Sequence, residues 1–326
     1  MRLPEFTLLR PQALQDAARL AAEPGAQLLA GGTDLLANLR RGIGAPRRLV
    51  QLEGVASLQG LERTASGVRI GAGVTLARLA QAPELAGACA AAREAAASVA
   101  APAHRAAATL GGNLCQDTRC VYYNQSEAWR RSNDYCLKLS GDTCHVAPQG
   151  KICRAAYSGD LAPALIALDA EVEIAGAQGT ARRVPLADLY RDDGASPLAL
   201  ERGEIVAAVR IPAPAPAQRS GYAKLRARGA IDFPLAGVAM ALALEAGRVA
   251  RLRVALTGTN SRPLLLQGTD ELRGRAPDGA LAEAIARLVR KQAGPMRTTV
   301  AAADYRRQAA AALAGRLLAR LAGGGA

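Results

Sequence analysis

Five of the six cysteines in this chain of 326 residues lie in one short stretch, CQDTRCVYYNQSEAWRRSNDYCLKLSGDTCHVAPQGKIC. They are Cys115, Cys120, Cys136, Cys144 and Cys153. The stretch holds few aliphatic residues, so it cannot build a hydrophobic core of its own. We therefore expect the thiols to stabilise the stretch, either by forming disulfides or by binding a metal centre.

Three kinds of thiol chemistry could stabilise this stretch. Structural disulfides are typical of oxidising compartments, and MRLPEFTLLRPQ at the N-terminus lacks the charged and apolar regions of a signal peptide. Zinc sites usually carry paired C-x-x-C spacings, which the stretch does not contain. A 4Fe-4S cluster needs four thiolates and tolerates long loops between them, so we favour the cluster. Thiol chemistry alone does not say which of the five cysteines is the spare.

The composition is that of a globular protein with more than one domain. The chain is 50% hydrophobic, and no apolar run approaches the length that spans a membrane. The formal net charge of +13 would permit nucleic-acid binding, but arginines occur in every segment and aromatic residues make up only 3%. We expect no nucleic-acid partner, no membrane association and a cytoplasmic location. An acidic protein partner or an anionic substrate fits the charge as well.

Strand-like and helix-like patterns alternate along the chain, which predicts a mixed α+β fold. AQLLAGGTDLLANLRRG, from Ala26, reads as a strand, a Gly-Gly turn and a helix with Thr33 and Asp34 as candidate N-cap residues. An Ala-rich helical segment is expected to run to about Ala101. LAPALIALDA reads as a helix, and GEIVAAVRIP reads as a strand closed by proline.

The PAPAPAQ run at 212–218 marks the predicted domain boundary, because repeated Pro and Ala resist helix and sheet pairing. We predict a first domain over 1–218, with subdomains of about 1–58 and 59–218. A separate α+β domain is predicted over 219–326. The final GGGA is expected to be a disordered tail.

Two Gly-Gly turns, in LLAGGTDL and TLGGNLCQ, share paired glycines followed by a polar residue. Backbone N–H groups next to glycine can approach an anion closely, so a pyrophosphate would fit there. Either turn by itself is more simply a tight turn. GGTDLL also lacks the third glycine of a dinucleotide-binding fingerprint and the Gly-Lys of a P-loop.

Six separated segments together resemble, in order, the FAD-binding medium subunit of the molybdenum hydroxylase (xanthine oxidase) family. They are LAGGTDLL, GAGVTL, ATLGGNL, SGDLAPALIALDA, GEIVAAVRIP and YAKLRARGAIDFPLAGVAMAL. The resemblance covers nearly the whole chain. It implies an α+β fold with a FAD-binding domain of the vanillyl-alcohol-oxidase (PCMH-like) type, made of two subdomains. A C-terminal domain of the CO dehydrogenase flavoprotein type would follow.

The resemblance also implies a FAD site. The two glycine turns would wrap the pyrophosphate and ribityl chain, Asp160 would bond a hydroxyl of FAD, and Val206 and Lys224 would line the flavin. Without the resemblance, Lys224 would be read as a surface lysine and Asp160 as a helix cap. The implied FAD-binding residues are Leu28, Leu29, Ala30, Gly31, Gly32, Thr33, Asp34, Leu35, Thr109, Leu110, Gly111, Gly112, Asn113, Asp160, Val206 and Lys224. No catalytic residue is expected in this chain.

The cysteines belong to an insertion, because in ordinary members of the family the GGN motif runs almost directly into S-x-x-D-L-x-P-A-L, whereas residues 115–157 intervene here. The insertion resembles that of the β subunits of 4-hydroxybenzoyl-CoA reductases, a group within the family, in which TRC, YYNQSE, WR, YCLK, CHV and a last Cys recur. This resemblance implies four ligands of a 4Fe-4S cluster: Cys120, Cys136, Cys144 and Cys153.

The remaining thiols and histidines receive lesser roles. Cys115 would lie beside the GGN turn, and Cys89 is most simply a small buried residue. His145, next to Cys144, could replace a ligand, but a supporting or surface role is favoured. His104 has no expected role.

The implied function is electron transfer by the FAD and iron–sulfur subunit of a reductase that removes the para hydroxyl of 4-hydroxybenzoyl-CoA. The resemblance implies a large subunit with the molybdenum cofactor and a small 2Fe-2S subunit, assembled as a dimer of trimers. Ferredoxin is the implied donor, whose electrons would enter at the extra cluster and pass through FAD. The alternatives are the FAD subunit of another molybdenum hydroxylase, acting on an aldehyde, an N-heterocycle or CO, and a zinc-bearing binding module.

Overall fold

The computed structural model describes residues 3–298 and 300–323, which form three β-sheets with helices packed against them. The mixed α+β character predicted from the sequence is confirmed. The predicted GGGA tail lies outside the described residues, apart from Gly323. Within the described ranges, no helix is both long enough and apolar enough to cross a membrane.

The first sheet is parallel and small. Its strands, in spatial order, are β1 (Thr7–Leu9), β3 (Arg48–Gln51) and β2 (Ala26–Leu29). Parallel strands need crossover connections, and helices α1 (Leu14–Ala21) and α2 (Leu35–Arg40) supply them. The turn between β2 and α2 therefore opens at the carboxyl end of a parallel strand, which is where open α/β sheets bind ligands.

The second sheet is antiparallel and has five strands. In chain order they are β4 (Leu61–Thr64), β5 (Gly67–Gly71), β6 (Glu171–Ala175), β7 (Ala181–Pro185) and β8 (Ile205–Pro212). Their spatial order is β4-β5-β8-β6-β7. The central strand β8 is an almost continuous apolar run and is buried along most of its length, as expected for a strand covered on both faces.

Six helices lie between β5 and β6 in the chain. They are α3 (Leu76–Gln81), α4 (Ala90–Ser98), α5 (Pro102–Ala107), α6 (Leu110–Leu114), α7 (Glu127–Ser132) and α8 (Leu161–Ala167). The helix predicted to reach about Ala101 ends at Ser98, and Ala101 is extended. The cause is Pro102, which starts the next helix and disfavours helical geometry in the residue before it.

The third sheet is antiparallel, with the spatial order β12-β11-β10-β9. Its strands are β9 (Arg219–Leu225), β10 (Ala236–Glu245), β11 (Arg248–Thr257) and β12 (Leu264–Leu265), and helices α9 (Gly279–Gln292) and α10 (Ala303–Ala322) pack on it. Ala246 and Gly247 both have positive φ between β10 and β11, which is typical of a type I′ hairpin turn.

Helix α8 joins the second and third sheets. Its sequence LAPALIA is apolar on every side and all seven residues are buried. It contacts α4, β10 and β11, so it belongs to the core on both sides. This packing fixes the start of α8, at Asp160, in the centre of the molecule.

Residues 115–157, here called the cysteine segment, contain α7 and otherwise turns. The two ends of the segment are joined by a pair of backbone hydrogen bonds of 2.7 Å between Arg119 and Ala156. Arg130 in α7 is fully buried and donates to the carbonyl oxygens of Arg41 (2.9 Å) and Gly42 (3.1 Å). The segment is thus anchored to the loop that follows α2.

Candidate functional site

A cavity of about 1300 Å³ lies in the middle of the molecule and is called the central cavity here. It is lined by the β2–α2 turn, α6, the start of α8, strands β8 and β9, and part of the cysteine segment. Sites for drug-sized ligands usually measure about 300–1000 Å³. The central cavity therefore has room for a ligand larger than these.

Fifteen of the sixteen residues assigned to FAD from the sequence line the central cavity. The exception is Leu110, whose side chain is fully buried in the core beneath the second glycine turn. Residues far apart in the chain are thus brought to one cavity, namely the two glycine turns, Asp160, Val206 and Lys224.

The first glycine turn offers free backbone donors to the central cavity. A Cβ at Gly31 would lie 1.8 Å from the carbonyl oxygen of Ala107, and Gly32 has a φ of +71°, so both positions require glycine. Within the described residues, the N–H groups of Gly32, Thr33 and Asp34 donate to no protein group. Such a run of unpaired N–H groups is a natural site for an anion.

The second glycine turn differs, because its N–H groups are already used. Gly111 donates to the carbonyl oxygen of Ala72 at 2.8 Å, and Gly112 donates to Oγ1 of Thr109 at 3.1 Å. A Cβ at Gly111 would lie 2.9 Å from that of Ala72. The expectation that both turns present N–H groups to an anion is thus wrong for the second turn, where glycine serves close packing.

Three polar residues assigned to FAD have other roles at the helix starts than their positions suggest. Asp34 is the N-cap of α2, but its side chain makes no capping bond; it pairs with Arg119 and accepts from the N–H of Asp117 at 3.1 Å. Asp160 likewise begins α8 without capping it. Asn113 supplies that cap, since its Oδ1 accepts from the N–H of Leu161 at 3.1 Å.

A buried ion pair lies at the inner end of the central cavity. Nζ of Lys224 is 3.0 Å from Oδ2 of Asp160, and their side chains are 5% and 4% exposed. The hydroxyl of Tyr222 donates to Oδ1 of Asp160 at 2.5 Å. Lys224 is therefore not a surface lysine, and Asp160 holds its ammonium in place.

Burial dominates the electrostatics of this pair. It raises the pKa of Asp160, and Lys224 and the Tyr222 hydrogen bond oppose that rise. The pKa of Tyr222 is raised well above its ordinary value by burial and by the Asp160 carboxylate. Tyr222 therefore remains a neutral hydroxyl that donates to Asp160.

The cysteine segment forms one wall of the central cavity through seven residues: Cys115, Gln116, Asp117, Arg119, Tyr123, Lys138 and Leu139. Nζ of Lys138 is 2.6 Å from Oδ1 of Asp117, and the Tyr123 hydroxyl donates to Oδ2 of the same carboxylate at 2.9 Å. Burial lowers the pKa of Arg119 to about 10, and its guanidinium stacks 4.8 Å from the ring centre of Phe233. This wall is polar and charged.

The four thiols assigned to a cluster lie close enough to influence one another. Burial raises the pKa of Cys120, and the neighbouring thiols of Cys136 and Cys144 add to the rise. Burial also raises the pKa of Cys153 to about 11, with Cys144 and Cys120 again among the contributors. The fifth thiol, Cys115, lines the central cavity instead, and burial raises its pKa to about 12.

All six cysteines are free thiols. Across residues 3–298 and 300–323, no group of three or more His, Cys, Asp or Glu side chains is arranged to hold a metal ion. Nε2 of His145 donates to the carbonyl oxygen of Tyr135, and the His145 ring packs 5.2 Å from that of Tyr122. His104 lines the central cavity.

Sequence reasoning gave no role to several residues of the cavity wall. Arg119, Tyr123 and Lys138 stand within TRC, YYNQSE and YCLK, the motifs on which the resemblance of the insertion rests. Their occurrence in these motifs was the sequence signal that could have identified them as residues of the site. Tyr222 begins YAKL, which belongs to a segment that carries the family resemblance, but its bond to Asp160 joins residues from different domains of the prediction.

Comparison with known proteins identifies the two parts of the chain. A family described as "FAD binding domain in molybdopterin dehydrogenase" matches residues 4–214. A family described as "CO dehydrogenase flavoprotein C-terminal domain" matches residues 221–321. These matches confirm the predicted fold class.

Individual relatives extend over most of the chain. The aldehyde oxidoreductase FAD-binding subunit PaoB of Escherichia coli K12 is 34% identical over 81% of this chain and 85% of its own length. The carbon monoxide dehydrogenase medium chain of Afipia carboxidovorans is 29% identical over 93% and 94%. A crystal structure of the Cu,Mo-CO dehydrogenase in its cyanide-inactivated form contains a chain that superposes with a TM-score of 0.82 at 25% identity, covering 99% of both chains.

With a family match over most of its length and a relative above 30% identity, the chain belongs to the FAD-binding medium subunits of the xanthine oxidase and CO dehydrogenase family of molybdenum hydroxylases.

Proposed function

We propose that this chain is the electron-transfer subunit, carrying FAD and a 4Fe-4S cluster, of a 4-hydroxybenzoyl-CoA reductase. That enzyme would convert 4-hydroxybenzoyl-CoA, two electrons and two protons to benzoyl-CoA and water, with the substrate bound on another subunit. The observation that carries the proposal is the position of the cysteine segment. It carries the four thiols assigned to the cluster and also forms a wall of the central cavity.

The residues of the central cavity fit FAD. The cavity is large, and the free N–H groups of Gly32, Thr33 and Asp34 suit a pyrophosphate. The buried ammonium of Lys224 suits a flavin that gains negative charge on reduction. We propose the sixteen residues assigned from the sequence as the FAD site, with Leu110 acting as support from below. Bound FAD would supply one-electron and two-electron transfer.

The thiol arrangement favours a cluster over a zinc ion. Four sulfurs around one Zn²⁺ would stand roughly 3.8 Å apart, given Zn–S bonds of about 2.3 Å and tetrahedral geometry. A cubane binds each thiolate to a different iron, so its sulfurs stand farther apart. The stretch lacks the paired C-x-x-C spacings that are usual in zinc sites, and a 4Fe-4S cluster tolerates long loops between its ligands, so the ligand spacing favours the cluster. The proposed ligands are Cys120, Cys136, Cys144 and Cys153.

The proposal includes partners and a direction of electron flow. Electrons would enter at the cluster from ferredoxin, pass to FAD, and leave for a small 2Fe-2S subunit and a large molybdenum subunit in a dimer of trimers in the cytoplasm. The relatives named as a FAD-binding subunit and a medium chain support a multi-subunit enzyme. The net charge of +13 suits an acidic donor, because charge complementarity speeds encounter.

A second candidate is the FAD subunit of a hydroxylase that oxidises an aldehyde or carbon monoxide. The names of the two relatives favour it. In that case the cysteine segment would serve a structural purpose and the subunit would contain FAD without iron. The metal content therefore separates the two candidates.

A cysteine substitution tests the proposal in the complete enzyme. Cys136→Ser should remove iron and block reduction of the flavin by reduced ferredoxin, while FAD is retained. Cys89→Ser is the matched control, because Cys89 is buried in the core of the first two sheets, and it should keep both iron and ferredoxin-driven reduction. Normal turnover of Cys136→Ser from reduced ferredoxin would show that electrons do not enter at this segment.

A further inference from the structure

Arg119, in the cysteine segment, is held firmly at the wall of the central cavity. Its backbone exchanges two hydrogen bonds of 2.7 Å with Ala156, and its side chain is 13% exposed. Nη2 pairs with the carboxylate of Asp34, Nη1 donates to Oδ1 of Asn38 at 3.3 Å, and the guanidinium lies 4.8 Å from the centre of the Phe233 ring. These contacts remove most of the rotational freedom that an arginine side chain has in solution.

One donor of this guanidinium is left over. A guanidinium presents five N–H bonds in a fixed planar fork. Nε of Arg119 is buried and has no hydrogen-bond partner among the described residues. A buried charged donor without an acceptor is unfavourable, and folded proteins nearly always pair such a group with protein, water or a ligand. Because Arg119 lines the central cavity, we expect the missing acceptor to belong to a ligand bound there.

Arg119 lies next to the other free donors of the central cavity. Asp34 holds the guanidinium through its side chain, and its backbone N–H is one of the three free N–H groups of the first glycine turn. A phosphate bound by those N–H groups would therefore lie beside a fixed positive charge. The arginine fork matches two oxygens of one phosphate, and runs of backbone N–H groups also favour anions.

The other cations of the cavity wall are less suited to an anion at this turn. Nζ of Lys138 donates to Oδ1 of Asp117 and to both oxygens of Thr118, which uses all three of its N–H bonds. Nζ of Lys224 is held in its ion pair at the inner end of the cavity. Arg41 is only half-buried, so water screens its charge. The guanidinium in the cysteine segment is thus the buried cation best placed to bind an anion at the first glycine turn.

We propose that Arg119 binds the pyrophosphate of FAD, which makes the cysteine segment part of the FAD site. Arg119 lies outside the six segments that carry the family resemblance and outside the sixteen residues assigned to FAD. The inference rests on the FAD part of the proposed function, and it requires no metal centre on the cysteine segment.

The test is a titration of the flavin-free full chain with FAD, followed by flavin fluorescence, with thermal unfolding of each variant measured by circular dichroism. Arg119→Met should raise the Kd for FAD by about 10- to 100-fold, the loss expected when a hydrogen bond between charged groups is removed. Arg119→Lys keeps the charge without the fork, so its Kd should lie between those of the wild type and Arg119→Met. Arg131→Met is the matched control, an exposed arginine of the same segment, and should bind FAD as the wild type does.

A second variant separates direct contact with FAD from support of the glycine turn. If Arg119 acted only by holding Asp34 in place, Asp34→Asn would weaken FAD binding as much as Arg119→Met does. If Arg119 binds the pyrophosphate, Asp34→Asn should instead tighten FAD binding, because it removes a negative charge beside the anion and releases a second nitrogen of the guanidinium.

Each outcome has a distinct meaning. An unchanged Kd in Arg119→Met, or equal weakening in Arg119→Met and Asp34→Asn, would overturn the role of Arg119 and leave the FAD site standing. A wild-type chain that binds no FAD would overturn the FAD part of the proposed function. If Arg119→Met fails to fold because Asp34 is left unpaired, the Asp34→Asn/Arg119→Met variant removes both charges. It should bind FAD more weakly than Asp34→Asn, and equal affinity of these two variants would also overturn the inference.

Discussion

Replacing Lys224 by Met should lower the free energy of unfolding by about 3–5 kcal/mol at neutral pH, because it leaves the carboxylate of Asp160 buried without its cation. Protonation of the Asp160 carboxyl would cost a similar amount of free energy. The carboxyl can avoid a buried charge by taking up a proton, which costs about 1.4 kcal/mol per pH unit above its ordinary pKa of about 3.9, or roughly 4 kcal/mol at pH 7.

The same reasoning fixes the pH dependence of the Lys224→Met variant. Burial raises the pKa of Asp160 and Lys224 lowers it, so the pKa in the folded variant should rise further. A carboxyl with a raised folded-state pKa contributes stability that is complete below its unfolded pKa and is lost as the pH rises through the folded pKa. The variant should therefore approach the wild type by about 1.4 kcal/mol per pH unit as the pH falls from 7 toward 5.

Urea unfolding of the full chain at several pH values, followed by far-UV circular dichroism, measures this effect. Lys291→Met, at an exposed position, is the matched control and should stay within about 0.5 kcal/mol of the wild type. The Asp160→Asn/Lys224→Met variant has no buried charge to leave unpaired and should recover most of the loss. Equal destabilisation of Lys224→Met at pH 5 and pH 8, or no recovery in the double variant, would refute the reasoning.

Two further substitutions probe the glycine turn and the anchor of the cysteine segment. Gly31→Ala places a Cβ 1.8 Å from the carbonyl oxygen of Ala107, so the turn must move and the purified protein should lose most of its flavin absorbance. The control Gly229→Ala has open space around the added Cβ and should keep its flavin absorbance. Equal flavin content in both variants would contradict the role of the turn. Arg130→Met removes the hydrogen bonds that tie the cysteine segment to the carbonyl oxygens of Arg41 and Gly42, so limited proteolysis should cut the segment faster than in the exposed control Arg131→Met. Equal rates would argue against the anchor.

Local patterns predicted the parts of the fold that depend on local chemistry. The apolar run of β8 and the buried helix α8 lie where hydrophobic patterning placed them. The end of α4 was placed too late, although Pro102 marked it. The strand order of the three sheets could not be predicted from local patterns, because it depends on contacts between distant segments.

Roles that depend on distant partners could not be predicted from the sequence. The N–H of Gly111 is satisfied by Ala72, and the carboxylate of Asp160 is held by Tyr222 and Lys224, all far away in the chain. Paired glycines signal close approach, but they do not reveal which N–H groups remain free. The ion pair of Lys138 with Asp117 at the wall of the central cavity likewise appears only in the folded chain.

The most direct test of the central claim is the cofactor content of the anaerobically purified protein. Flavin, iron and acid-labile sulfide should be measured per polypeptide, together with the EPR spectrum after reduction with dithionite. We expect about one FAD, four iron and four sulfide, the composition of one cubane cluster, and an EPR signal from that cluster. FAD accompanied by zinc, or by no metal, would contradict the proposed cluster and make the cysteine segment a structural element of a hydroxylase subunit.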